Sequence, residues 1–498
     1  LKIVWFVPGF IFLINGFDRS NENDIEIVIQ KLPRQTMNMN STQLKKSRLA
    51  VPTPLDPEFL PAILFERDYL QKLEKTEELI IAVERENGCV SRKKLLVATE
   101  SSGLRTETLL YVDRVVKFML WASGGWKLYI GGAEWIGREM AKTYSSSGPR
   151  AFDVALMERV YDRPFETVCC APGKIPADKE NEEAIGGHLA GCRIGFDLGA
   201  SDYKLAAVKD GQPVFSTEIP WDPVKQADPD YHYQAIQKGL KLAAEHLPRV
   251  DAIGGSSAGV FVDDRPMVAS LFRSVPAGLY ETKIKNMFHR LREEWGVPLT
   301  VINDGDVTAL AGAMSLKKEG MFGIAMGSSE AVGFLDRAGH VTGRLNELAF
   351  APVDFNPAAA ADEWSGDRGV GALYFSQQAV NKLAPAAGFS FPAETGLPER
   401  LKAVQVEADA GNEAALKIFE TIGVYLGYAL PWYARFYDFE DVLILGRVTS
   451  GRGGEKVIET ARAVLAKEFP DFSARLHVPD EQSRRVGQAV AAASLPQI

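Results

Sequence analysis

The stretch Asp197-Leu198-Gly199-Ala200-Ser201-Asp202-Tyr203-Lys204 constrains this chain more than any other. An apolar strand over residues 194–198 runs into a turn of small residues and out again into a second strand over 205–208. A tight hairpin with Gly199 and Ser201 at its tip lets backbone N–H groups approach a phosphate, and Asp197 leaves a carboxylate at the strand end to organise the water around Mg²⁺. Strands that end in Asp-x-Gly are also ordinary turns. The segment gains its meaning from the strands and turns downstream of it.

Residues 252–260 read as a buried strand ending in small residues, with Gly259 where a sugar-sized ligand reaches the backbone. Residues 297–304 form a strand that stops at two polar residues, and 307–314 have the composition of a helix. Asn303 and Asp304 therefore sit between a strand end and a helix start, facing the crevice beyond the strand ends. The next strand, 321–326, ends in Gly327-Ser328-Ser329, a second place for N–H and hydroxyl groups to meet phosphate oxygens. Near the C-terminus, 441–445 is a short buried strand before Gly446-Arg447-Val448-Thr449-Ser450-Gly451, and 455–469 reads as a helix.

This ordered set resembles the actin, hexokinase and heat-shock-protein nucleotidase superfamily and, within it, the ROK family of bacterial sugar kinases and related repressors, over roughly residues 192–493. Asp197-Leu198-Gly199-Ala200-Ser201 is similar to the family's first phosphate loop. Val301-Ile302-Asn303-Asp304 is similar to its Asn-Asp motif, with 288–296 as the helix that precedes that strand. The resemblance implies an α/β chain with two ribonuclease-H-like lobes, the actin-like ATPase fold, at 192–313 and 314–498. Ligands would lie in the cleft between them. It implies transfer of the ATP γ-phosphoryl group to a sugar hydroxyl, with Mg²⁺, in a homodimer. Asp304 would accept the hydroxyl proton, Gly259, Asn303 and Glu347 would hold the sugar, and Asp197 would hold Mg²⁺ through water. Gly199, Ser201, Lys204, Gly327, Ser328 and Ser329 would line the phosphates, and Gly446 and Arg447 would face adenosine.

Departures from the family pattern are as informative. Glu330 comes directly after the second phosphate turn and is expected to bring a negative charge near the phosphates. In Asn346-Glu347-Leu348-Ala349-Phe350, Phe350 stands where the family has a sugar-binding His; a ring there stacks on a sugar face but supplies no imidazole hydrogen bonds. The family's zinc site needs three closely spaced cysteines downstream. All four cysteines here (Cys89, Cys169, Cys170, Cys192) lie earlier, so no zinc site is expected. Two further readings stay open: a non-catalytic sugar sensor, and a transcription regulator of the same family.

At 498 residues, with 46% hydrophobic and 24% charged residues, the chain has the makings of two or three globular domains. Residues 1–53 read as an N-terminal extension, with 1–36 expected to precede the natural start; an extra strand or a membrane-proximal tail is the alternative. Residues 54–170 read as an α/β accessory domain with helices over 68–86, 134–144 and 152–161 and a strand over 126–130. Residues 171–191 read as a surface linker. The run Glu86 to Leu95 faintly resembles the first turn of a winged helix, yet between Glu66 and Lys117 there are ten basic and ten acidic residues. DNA binding needs a local positive excess, and the whole chain carries −9, so nucleic acid is an unlikely partner. Few cysteines suggest a reducing cytoplasm, and no membrane partner is expected.

Overall fold

The computed structural model describes residues 49–180, 185–478 and 481–498, with side chains from 487 in the last segment, and the backbone of three short strands. These are β1 (Ile3–Val7), β2 (Phe10–Ile14) and β3 (Val28–Ile29), paired antiparallel in that order. The expected start at Met37 lies outside the described residues.

The N-terminal region contains α1 (Ala62–Gln71), β4 (Thr76–Glu84), β5 (Val90–Ala98), α2 (Arg105–Ser123), β6 (Lys127–Gly132), α3 (Glu134–Thr143), α4 (Ala151–Tyr161) and β7 (Glu166–Cys170). Its sheet has the order β5-β4-β6-β7. The helix expected over 68–86 is instead the end of α1 followed by the central strand β4. Leu79, Ile81 and Val83 face one core while Ile80 and Ala82 face another. A strand covered on both faces loses the alternation that would have marked it. Glu86 to Leu95 forms a hairpin turn and strand rather than a winged-helix turn. Asn87 and Gly88 adopt φ of 57° and 65° there, as tight hairpins favour, and Arg92 and Lys94 lie on the solvent side of β5.

The first lobe contains β8 (Cys192–Leu198), β9 (Asp202–Lys209), β10 (Gln212–Pro220), α5 (Pro229–Ala244), β11 (Ala252–Ser257), β12 (Val260–Val262), β13 (Arg265–Val268), α6 (Ala277–Leu279), α7 (Met287–Trp295), β14 (Leu299–Asn303) and α8 (Asp304–Leu316). Its sheet runs β10-β9-β8-β11-β14. The first three strands are antiparallel and β8, β11 and β14 parallel, which is the ribonuclease-H-like arrangement.

The second lobe contains β15 (Met321–Met326), β16 (Glu330–Phe334), α9 (Gln377–Leu383), α10 (Leu397–Asp409), α11 (Glu413–Tyr433), β17 (Asp441–Leu445), α12 (Gly451–Glu468) and β18 (Arg475–His477), followed by α13 (Glu481–Ala493). Its sheet, β16-β15-β17-β18, repeats the scheme of the first lobe without a third antiparallel strand among the described residues. Helix α13, placed by the sequence in the second lobe, returns to the first. Its backbone lies so close to β8 and β11 that a Cβ on Gly195 would fall 1.7 Å from the Ala489 carbonyl oxygen, and one on Gly254 1.7 Å from that of Ala492.

The boundaries expected around 54–170 are also not boundaries of packing. One hydrophobic core runs unbroken from Phe59 through Tyr161 into the second lobe, whereas the first lobe keeps a core of its own. Phe118 stacks on Phe436 with ring centroids 4.1 Å apart. The segment read as a surface linker is tied down as well: Lys179 bridges to Val90, Ile175 is buried, and Glu180 pairs with Arg85 and Arg344.

Candidate functional site

The parallel strands of the first lobe end side by side at Leu198, Ser257 and Asn303, with Asp197 beside Ser256 one residue earlier. Strand β9 runs back opposite β8 and places Lys204 across from Asp197. The buried Asp197 carboxylate accepts from Ser256 Oγ at 2.7 Å and pairs with Lys204 Nζ at 3.2 Å. In the turn, the Gly199 N–H donates to the Asp202 carbonyl (3.0 Å) and the Gly199 carbonyl accepts from Trp221 Nε1 (2.8 Å). Ser201 Oγ donates to the Asp202 carboxylate (2.7 Å). The Gly199 N–H, expected to meet phosphate, thus closes the hairpin.

Asn303 is the N-cap of α8. Its Oδ1 accepts the Gly305 N–H (2.6 Å) and its Nδ2 donates to the Gly259 carbonyl (2.7 Å), so the side chain satisfies an orphan helix donor. Gly259 has φ of 128°, with the Val268 carbonyl where a Cβ would go, so glycine alone fits there. Asp304 is the first residue of α8. Burial, and then the Asp197 carboxylate, push its carboxyl up to about 6, against the stabilising pull of its own and the Gly305 N–H. The two acids therefore act on one another across the strand ends.

Glu347 comes from the second lobe, in the segment after β16. The N–H groups of Leu345, Asn346 and Glu347 donate to the carbonyls of Ser123 (3.3 Å), Ala122 (3.0 Å) and Trp121 (3.0 Å). These are the carbonyls that the end of helix α2 leaves unpaired. Asn346, at φ of 54°, donates to Asp306 (2.8 Å) and accepts from the Tyr437 hydroxyl (3.0 Å). Asp306 also accepts the Phe334 N–H (3.1 Å). Burial followed by the Asp304 and Asp306 carboxylates pushes Glu347 up to about 7, and burial does the same to Asp306. Asp304, Asp306 and Glu347 thus form one electrostatically linked cluster in which a proton is readily held. A cavity of about 600 Å³ along the open edge of β14 reaches Asn303 and Asp306.

Two expectations are corrected here. Glu330 is turned away from the phosphate turn: it is 3% exposed, accepts from the Tyr433 hydroxyl (3.1 Å), and burial pushes its carboxyl up to about 8, which favours the uncharged form at neutral pH. Phe350, expected as a stacking platform for a sugar, is half-buried against other rings instead. It packs on Trp121 at 4.5 Å and Phe152 at 6.0 Å, inside the joint with the N-terminal region.

Ser328 and Ser329 are exposed beyond the end of β15, and the Gly327 carbonyl accepts the Gln377 N–H (3.0 Å). Gly446, at φ of 108°, lies against the Met326 backbone, 2.4 Å from its carbonyl oxygen to where a Cβ would be, so the turn after β17 and the phosphate-type turn are neighbours. The Arg447 side chain is exposed and its carbonyl accepts from Gln405 (2.6 Å).

Ser256, Asp306 and Asn346 were not singled out in the sequence. The signal for Ser256 was available, because a polar residue inside a buried strand must find a partner, and the parallel register sets it beside Asp197. Among the described residues no set of three or more His, Cys, Asp or Glu is arranged to hold a metal ion, and the four cysteines are free thiols. Asp197 alone fits the looser demand of Mg²⁺, which keeps its waters and takes one or two carboxylates plus phosphate oxygens. No helix among the described residues is long and apolar enough to cross a membrane.

No family model matches the chain, and no curated protein matches it. Among solved structures it is similar to a ROK family glucokinase from Streptomyces griseus in complex with glucose and AMPPNP, at 18% identity and a TM-score of 0.46, covering 61% of this chain and 99% of that one. It is similar to a ROK hexokinase from Thermus thermophilus at 17% identity and a TM-score of 0.47, covering 60% and 97%. A ROK family transcriptional regulator, a homolog of the E. coli MLC protein, matches at 18% identity and a TM-score of 0.49, covering 62% and 79%.

Proposed function

We propose that this chain transfers the γ-phosphoryl group of ATP to a hydroxyl of a hexose or hexose derivative. The observation that carries the reading is the placement of Asp304 at the start of α8, just beyond the strand ends that carry Asp197 and Asn303; burial and Asp197 push its carboxyl up to about 6. A base with that affinity is ionised at neutral pH yet accepts a proton readily, and such general-base help is worth ~10²–10⁴-fold in rate. Asp304 takes the proton of the sugar hydroxyl as its oxygen forms the bond to the γ-phosphorus and the bond to the ADP oxygen breaks. Mg²⁺, when bound, offsets phosphate charge. Asp197, its carboxylate fixed by Ser256, would hold the ion through water.

Positioning accounts for most of phosphoryl transfer, and here it falls to Glu347 on the sugar, the Gly199–Ser201 and Gly327–Ser329 turns on the phosphates, and Gly446 and Arg447 on the nucleoside. A non-catalytic sugar sensor is favoured by one observation: Lys204 already neutralises the carboxylate that would organise Mg²⁺ water. Calorimetry with Mg–ATP, followed by a coupled ADP-release screen over hexoses and N-acetylhexosamines, separates the two. Nucleotide binding with sugar-stimulated ADP release supports the kinase. Sugar binding with no nucleotide binding supports the sensor.

A further inference from the structure

We propose that the N-terminal region is part of the sugar subsite, with Trp121 and Phe350 as the positioning residues that set Glu347; the proposal rests on the kinase reading for its functional meaning. The segment carrying Glu347 is gripped at both ends by helix α2. At one end the last carbonyls of α2, Trp121, Ala122 and Ser123, take the three successive N–H groups of residues 345–347. At the other, three residues on, the Trp121 ring seats Phe350. Trp121 is itself fixed: it is fully buried, and its Nε1 donates to Asp153 (2.5 Å), which also pairs with the buried Lys117.

A helix end normally finds caps within its own neighbourhood. This one is capped by a strand of chain from the second lobe, so moving α2 moves the backbone of Glu347 with it. A loop carrying a lone carboxylate among other carboxylates has no attractive partner to hold it in place. Burial, and then the Asp304 and Asp306 carboxylates, raise the Glu347 carboxyl, so its surroundings supply repulsion rather than an anchoring charge. Backbone bonds to a rigid helix supply the restraint that its own side chain lacks.

The test is kinetic. Phe350→Leu loosens the grip while keeping an apolar side chain, and Trp121→Phe keeps a ring but drops the bond to Asp153. Val97→Ala, a truncation in β5 within the same core, serves as a control for general loosening of that core. Both positioning variants are expected to raise the sugar KM about ten-fold or more while leaving the ATP KM within about two-fold, and Val97→Ala to change neither. In a Glu347→Gln background, Phe350→Leu is expected to add nothing further. A sugar KM raised as much by Val97→Ala, or effects that add in the Glu347→Gln background, overturns the proposal. If the wild-type protein shows no sugar-dependent ADP release, the kinase reading falls and hydrogen exchange decides the positioning claim alone. Faster exchange at residues 345–347 in Phe350→Leu but not in Val97→Ala sustains it, and equal exchange overturns it.

Discussion

In the first lobe, Asp197, Asn303 and Asp304 stand at the ends of neighbouring strands, and their partners Ser256, Lys204, Gly259 and Gly305 come from the same sheet or the turns just beyond it. In the second lobe, Glu347 and Phe350 take their surroundings from Trp121, Ala122 and Phe152, at the far end of the chain. One half of the site is self-contained; the other is assembled from two regions that share a core.

The sharpest way to break this comparison is to remove residues 49–170. The remaining chain is expected to lose the cooperative folding of the second lobe, because the shared core would be cut open, while the first-lobe core stays intact. A single, cooperatively melting species from the chain so shortened would contradict it. Next in size is Lys117→Met. Lys117 is fully buried between Asp153 (2.5 Å) and Asp367 (3.4 Å), and removing one partner of a buried ionic set costs about 3–5 kcal/mol, readable by denaturant titration. The matching change in the first lobe, Lys204→Met, breaks a partly exposed pair and is expected to cost under about 1 kcal/mol; comparable losses would erase the distinction.

Glu330 sharpens it further. Burial pushes its folded carboxyl up to about 8 from the ordinary 4.5, so between those values the folded state favours a proton that the unfolded chain releases. That contribution is complete below about pH 4.5 and is lost as pH rises through 8. Glu330→Gln is therefore expected to stabilise the protein at pH 8.5 by up to a few kcal/mol and to flatten its melting temperature between pH 5 and 9. An unchanged pH profile would mean that the carboxyl is not buried as described. The smallest effect concerns the first lobe. If Asp304 is the base, kcat/KM falls as pH drops through about 6, and Asp197→Asn, by removing the neighbouring charge, moves that limb to lower pH in any residual activity. A limb that does not move would uncouple the two acids.

The same division explains what was legible in the sequence. Strands β8, β14, β15 and β17 and helix α8 announce themselves locally, by apolar runs that stop at Asp197, Asn303, Met326 and Leu445. The order of residues along the chain then carries Asp304 to its place. Glu330 looks like a charge beside phosphates because its neighbours in sequence are Ser328 and Ser329; only the packing of Tyr433 against it turns it inward. Phe350 looks like a sugar platform until Trp121 covers it. Strand β4 was hidden because it is buried on both faces, and the return of α13 to the first lobe was hidden because Gly195 and Gly254 gain their meaning only once a helix lies on them.

The most direct measurement compares the wild-type protein with Asp304→Asn, side by side, for sugar-stimulated ADP release and for sugar binding by calorimetry. The account predicts release by the wild type, a loss of ~10²-fold or more in the variant, and sugar affinity retained in both. Equal turnover by the two proteins would contradict the assignment of Asp304 as the base and, with it, the chemistry proposed for this cleft.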